Sequence, residues 1–214
     1  MTVHRHDDAR LVLQDLACVR GWRCLFSGLS ARLGPGDAVQ VVGGNGSGKT
    51  SLLRIVSGLA RARAGQVLWG GEPIDRAGEA YRAQLAYLGH SPGLKADLSP
   101  VENLTHACQL AGAPASHGDV QAALADAGLQ AQAALPVRRL SQGQQQRVSL
   151  VRLGLLPRVR LWLLDEPGNG LDAQAQSWLE ALIARHCRQG GLVMFTSHTP
   201  LAVDAAPLGL EGHP

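Results

Sequence analysis

No apolar run in this 214-residue chain approaches the roughly 18 residues that a membrane-crossing helix needs. The best stretch, Leu150 to Leu164, is broken by Arg152, Pro157, Arg158 and Arg160. The first ten residues are polar and charged and hold no apolar segment of the kind a secretory leader carries, so the chain is expected to be made and kept in the cytosol. Its four cysteines, Cys18, Cys24, Cys108 and Cys187, form neither a C-x-x-C pair nor a zinc spacing, and they read as reduced core thiols. Charge is sparse as well: a net +3 with pI near 8.9, scattered along the chain, gives nucleic acid no basic arm to bind. No internal repeat occurs, and the only biased tract is the glutamine cluster of 142–146. His4 and His6 with Asp7 and Asp8 could take a metal adventitiously, but they do not make a designed site. What remains is a chain 45% hydrophobic and long enough for a sizeable apolar core.

The stretch that organises the chain is Gly43-Gly44-Asn45-Gly46-Ser47-Gly48-Lys49-Thr50, which meets the P-loop pattern G-x-x-x-x-G-K-[ST] at every fixed position. The apolar, β-branched run 38–42 before it reads as a buried strand, and residues 51–58 read as a helix capped by Gly58. That helix is apolar nearly all round, Leu59 included, and is expected to be buried at the centre of a sheet. The glycines let backbone N–H groups turn inward as a nest for phosphate oxygens at a helix N-terminus. Lys49 then meets the β- and γ-phosphates, and Thr50, followed by Ser51, offers its hydroxyl to Mg²⁺.

Residues 1–9 are expected to be a frayed tail and 10–212 a single domain. Two strands, Leu11–Val19 and Leu25–Leu33, flank a turn at Gly21-Trp22 and precede the P-loop strand. Short strands follow at 66–69 and 85–88, separated by a polar segment through Arg82. The chain then turns helical, with Ser99-Pro100-Val101-Glu102 a strong helix start. This Ala-rich block has no strands and reads as a helical lobe, about 91–156, inserted into an α/β core. A helix opened by Leu140-Ser141-Gln142-Gly143-Gln144 runs to Leu156. After it come a strand over 158–164, an amphipathic helix over 173–187 and a last buried strand, 191–196, reaching Ser197-His198.

Asp165-Glu166, at the end of an apolar strand downstream of a P-loop, supplies the second half of an ATP site. Asp165 can hold Mg²⁺, usually through water, and Glu166 can orient or deprotonate an attacking water. In the Leu140–Gln144 stretch, Ser141 suits an N-cap, Gly143 allows close backbone approach to a ligand, and the helix N-terminus offers N–H groups to an anion. Taken in this order, the motifs resemble the ATP-binding-cassette ATPases over essentially residues 10–210. The resemblance implies an α/β P-loop core of ABC type with an antiparallel β flank and the inserted helical subdomain. It also implies a dimer with a second copy, in which Ser141, Gly143 and Gln144 act on the partner's nucleotide. His198 is similar to the family's switch histidine and Asp172 to its D-loop aspartate.

Two positions depart from the family pattern. His90 stands where a glutamine senses Mg²⁺ and the membrane subunit. Arg20 falls by spacing where an aromatic stacks on adenine, a role its planar guanidinium could fill, with Trp22 as the alternative. The runs Tyr87–Leu104 and Val137–Arg147 resemble the ATP-binding subunits of the transporters that handle haem in bacterial cytochrome c maturation. This resemblance implies a peripheral subunit on the cytoplasmic face of the inner membrane. Its ATPase, using ATP and Mg²⁺, would drive a six-helix membrane subunit (CcmB-like) that delivers haem or releases its chaperone. Haem is not expected to bind this chain directly, since no C-x-x-C-H motif is present. Other readings are a cassette for another small substrate and a cassette with no transport role.

Overall fold

A computed structural model describes residues 10–210; the expected tail, the His4/His6 pair and the last residues of the expected domain lie outside that range. Two β-sheets form the core. The antiparallel sheet has the order β2-β1-β4-β5, built from β1 (Leu11–Arg20), β2 (Arg23–Leu33), β4 (Ala64–Trp69) and β5 (Glu72–Pro73). The parallel sheet has the order β6-β7-β8-β3-β9, from β6 (Leu85–Leu88), β7 (Leu161–Asp165), β8 (Leu192–Thr196), β3 (Ala38–Val42) and β9 (Ala206–Gly209).

Strands β7 and β8 are buried at every residue, which is why they read as unbroken apolar runs rather than alternating ones. Their side chains still alternate between two cores. Leu161, Leu163, Leu192 and Met194 join the cluster that contains helix α1 (Lys49–Val56) and the antiparallel sheet. Trp162, Leu164, Val193 and Phe195 join the cluster under α5 (Gln142–Gly154) and α6 (Ala173–Arg188). A third cluster, centred on Leu104, Leu124, Leu129 and Val148, holds the lobe made by α3 (Pro100–Leu110), α4 (His117–Asp126) and the outer face of α5. Each of these three helices opens with a reciprocal capping box: Ser99 with Glu102, Ser116 with Asp119, Ser141 with Gln144.

Several expectations are corrected. Helix α1 is amphipathic: Leu52, Leu53, Ile55 and Val56 are buried, while Leu59 lies beyond the Gly58 turn and is 60% exposed. The polar segment 70–82 holds β5 and a helix, α2 (Ile74–Arg82), kinked at Gly78. The strand expected from 158 begins at Leu161, after a turn at Pro157. Strand β9 had no forerunner in the sequence pattern. All four thiols are free, but only Cys18 and Cys108 are core residues; Cys24 is exposed and Cys187 half-buried.

Candidate nucleotide site

The parallel strands all point their carboxyl ends at one edge of the sheet, and the loops leaving β3, β6, β7 and β8 meet there. A cavity of about 530 Å³ opens at this edge. It is lined by Asn45 through Ser51 from the P-loop and α1, by His90 after β6, by Asp165 and Glu166 at the end of β7, and by His198 after β8. The sequence had singled out each of these. Leu25, Asn169 and Thr199 also line it and had not been anticipated.

The P-loop backbone takes positive φ at Gly46 (76°) and Gly48 (103°), a region where only glycine sits without strain. A side chain at Gly43 would also meet Ser47 Oγ at 2.6 Å. Lys49 Nζ donates to the carbonyls of Gly43 (2.7 Å) and Gly44 (3.3 Å), so its ammonium rests on the rim of the cradle. Ser47 Oγ is buried without a hydrogen-bond partner. An orphaned hydroxyl costs free energy unless something meets it. Beside a glycine loop at a helix N-terminus and a lysine, that partner is best supplied by a phosphate.

Opposite the loop, the carboxylate of Asp165 is only 5% exposed. Its Oδ1 accepts from two hydroxyls, Thr50 (3.2 Å) and Thr196 (2.8 Å), while Oδ2 takes no hydrogen bond from the described residues. A threonine hydroxyl and a carboxylate, both hard oxygen donors beside a phosphate cradle, fit Mg²⁺ better than a softer metal. Glu166 follows at φ 55°, a left-handed conformation rare for a non-glycine residue. Its Oε2 accepts from the backbone N–H of His198 at 2.9 Å, and its Oε1 lies 3.6 Å from His198 Nε2. The acid and the histidine therefore form one unit bridging the ends of β7 and β8.

A second cavity of about 290 Å³ shares His90, Glu166 and Asn169 with the first and continues toward Gln142, Gln145 and Gly170. The other expected contacts lie off both cavities. Ser141 caps α5, and Gln144 returns its side chain to the Ser141 N–H at 2.9 Å. Asp172 caps α6 by accepting from Ala175 N–H at 2.8 Å. For Gly143 the structure gives a different reason from close approach to a ligand: an added Cβ would stand 2.3 Å from the carbonyl oxygen of Gly170 in the same chain. Arg20 and Trp22 are both exposed at the hairpin tip and line neither cavity. The guanidinium that does approach the loop is Arg23, with Nη1 3.9 Å from where a Cβ on Gly46 would stand.

A parallel sheet with a P-loop at its carboxyl edge, an Asp-Glu pair at the same edge two strands away, an antiparallel flank and an inserted helical lobe define a P-loop ATPase domain of the cassette type. The comparisons agree. A family model described as "ABC transporter" matches residues 26–169, and the chain belongs to that family. It is 49% identical to the "Cytochrome c biogenesis ATP-binding export protein CcmA" of Pseudomonas aeruginosa over 88% of this chain and 93% of that one. The proteins of the same name from Methylococcus capsulatus (46% identity, 92% and 94% covered) and Escherichia coli O157:H7 (45%, 90% and 91%) are similar to it as well. Among solved structures, a putative ABC transporter ATP-binding protein from Pyrococcus furiosus superposes with a TM-score of 0.84 over 95% of this chain and 98% of that one. At 21% identity it speaks for the fold alone. No helix among the described residues is long and apolar enough to cross a membrane.

Proposed function

We propose that the chain is the ATP-hydrolysing subunit of an ABC transporter complex for c-type cytochrome biogenesis. In this reading it works on the cytoplasmic face of the inner membrane, paired with a six-helix membrane subunit. Its ATPase energises haem delivery or release of the haem chaperone. The observation that carries the ATPase reading is the convergence of the P-loop, Asp165, Glu166 and His198 on one cavity. The cytochrome reading rests on near-full-length similarity to the relatives described above.

In this mechanism the N–H groups of the P-loop and Lys49 bind the triphosphate, Lys49 exchanging the Gly43 and Gly44 carbonyls for phosphate oxygens. Thr50 and Asp165 would hold Mg²⁺, and the ion would supply charge neutralisation for the triphosphate. Glu166 orients a water for in-line attack and accepts its proton. His198, whose N–H already fixes the Glu166 carboxylate, contacts the γ-phosphate. His90 borders both cavities and is suited to couple the site to the membrane subunit. Ser141 and Gly143 act on the nucleotide of a second copy, with Asp172 at the junction.

The variant Glu166→Gln tests both readings. It keeps the side chain's size and removes the base, so purified protein is expected to bind ATP within about threefold of wild type while turnover falls by a factor of the order of 10² to 10³. In cells whose own copy is deleted, it should leave c-type cytochromes unassembled where wild type restores them. Turnover near the wild-type rate would remove Glu166 from its role. Normal cytochrome assembly in the deletion strain itself would end the biogenesis reading.

A further inference from the structure

The hydroxyl of Thr196 bonds the carboxylate of Asp165 and the backbone of Glu166. Thr196 is the last residue of β8, pairs in register with Asp165 across the parallel ladder, and is fully buried. Its Oγ1 donates to Asp165 Oδ1 at 2.8 Å and accepts from the backbone N–H of Glu166 at 2.9 Å. It is the only hydroxyl in a strand otherwise made of Leu192, Val193, Met194 and Phe195. A polar group in so apolar a strand is costly unless every hydrogen bond is met. Here the proton goes to a carboxylate and a lone pair to an amide, so both are.

Neither bond is idle. Asp165 is nearly buried, and Thr196 is one of the two hydroxyls that fix Oδ1. Glu166 holds a left-handed backbone conformation that persists only where surrounding contacts over-determine it. The contact on its N–H is Thr196. The neighbouring Ser197 hydroxyl cannot substitute, since it donates to the Thr199 carbonyl at 2.5 Å.

The geometry points to Thr196 as a positioning residue for the ATPase: one buried hydroxyl sets the metal-binding carboxylate and the backbone of the catalytic glutamate in a single register. The inference rests on the roles proposed above for Asp165 and Glu166. It also links β8 to the chemistry by a second route besides His198, so a shift of β8 against β7 would misplace the magnesium ligand and the base together.

The test compares Thr196→Val, which keeps the shape and loses both bonds, with Thr196→Ser, which keeps both bonds and loses a methyl group. It uses the full chain alone and in its membrane complex. Expected for Thr196→Val are a kcat at least tenfold lower, a several-fold rise in the Mg²⁺ concentration for half-maximal activity, and ATP affinity without metal within threefold of wild type. A further readout needs no nucleotide. The Glu166 amide should exchange its hydrogen at least tenfold faster in Thr196→Val than in wild type or Thr196→Ser. The serine variant should recover kcat to within about threefold. Wild-type kcat, metal dependence and amide exchange in Thr196→Val would overturn the inference. So would a serine variant as impaired as the valine one, because only packing would then be at stake. A wild-type chain with no magnesium-dependent ATP turnover, alone or in complex, would instead defeat the ATPase reading itself.

Discussion

Replacing Gly143 by alanine separates two explanations of the same glycine. If it is present only so that a ligand can approach the first turn of α5, alanine should leave the isolated chain intact and even help it. Alanine in place of glycine within a helix is worth about 1 kcal/mol of stability. The structure predicts the reverse. The new Cβ would stand 2.3 Å from Gly170 O, about 1 Å inside ordinary contact, and the obstacle is backbone rather than a side chain that could swing away. Overpacking of this kind costs about 1–3 kcal/mol, so the net change is a loss of up to about 2 kcal/mol. The strain falls on the segment 166–170, whose first turn is closed by the Asn169 N–H on the Glu166 carbonyl at 3.1 Å. Moving Gly170 therefore moves Glu166. The P-loop, on β3, is not part of that segment. Urea denaturation should show the stability loss, and kcat should fall at least tenfold with ATP affinity within threefold of wild type. A Gly143→Ala chain that is stabilised by about 1 kcal/mol and hydrolyses ATP normally would refute the reasoning.

Gly48→Ala should abolish nucleotide binding, because φ there is 103° and the new Cβ would meet Leu25 Cβ and Phe26 Cδ1 at 3.1 Å. Gly58→Ala (φ 75°, nothing within 4 Å) is the control: it should cost about 1–2 kcal/mol in urea without weakening binding of a fluorescent ATP analogue more than threefold. Stability should also fall with acid because of His186, whose ring stacks on Trp162 at 3.7 Å and whose pKa burial pushes down to about 4. Between its ordinary value near 6.5 and that lower one, the unfolded chain takes up a proton that the folded chain refuses. The stabilisation is thus whole above the upper value, lost as pH falls through the window, and level below it. The ring keeps an edge on a cavity of about 170 Å³, so about 1–2 kcal/mol is expected rather than the full shift. Urea melts at pH 7.5 and 4.5 should show His186→Phe losing less stability by that amount; equal losses in the two proteins would dismiss the histidine.

What the sequence made legible was whatever its local chemistry decides. The P-loop is dictated by glycines that few other residues could replace, and β7 and β8 by unbroken apolar runs. Asp165 and Glu166 are placed by being the first polar residues after the β7 run, and His198 by following β8 within two residues of its end. The start of α3 was legible because a capping box is a pattern of neighbours. What escaped depends on distant partners. Strand β9, Ala-Pro-Leu-Gly, has no strand propensity and exists because β3 offers it an open parallel edge. Helix α2 carries a glycine with φ 50° and one buried residue, Tyr81, too little to make an apolar stripe. Thr196 had a usable signal, a hydroxyl closing an apolar strand just before Ser197-His198, but its meaning depends on which residue of β7 stands beside it. The adenine contact expected at Arg20 or Trp22 rested on spacing along a hairpin, and both residues stand exposed at its tip without lining the cavity.

The same distinction bears on the serine-led tip of α5. Within its own chain nearly every group there is engaged. Ser141 Oγ accepts from the Gln144 N–H, the Gln144 side chain accepts from the Ser141 N–H, and the Ser141 carbonyl accepts from the Gln145 N–H. What the tip retains is the Ser141 hydroxyl proton and the N–H groups of Gln142 and Gly143, which have no partner among the described residues. These are donors only, gathered at the positive end of a helix, and acidic side chains are absent from its first turn. Free donors at a helix N-terminus favour an anion. Ser141 and Gly143 line neither cavity of their own chain, which favours an anion held by another molecule. This supports the proposal that each tip meets the triphosphate held by a second copy. Ser141→Ala should then halve turnover or worse in the assembled complex yet leave ATP binding to the isolated chain untouched; weakened binding in the isolated chain would place the tip on its own nucleotide and contradict the arrangement.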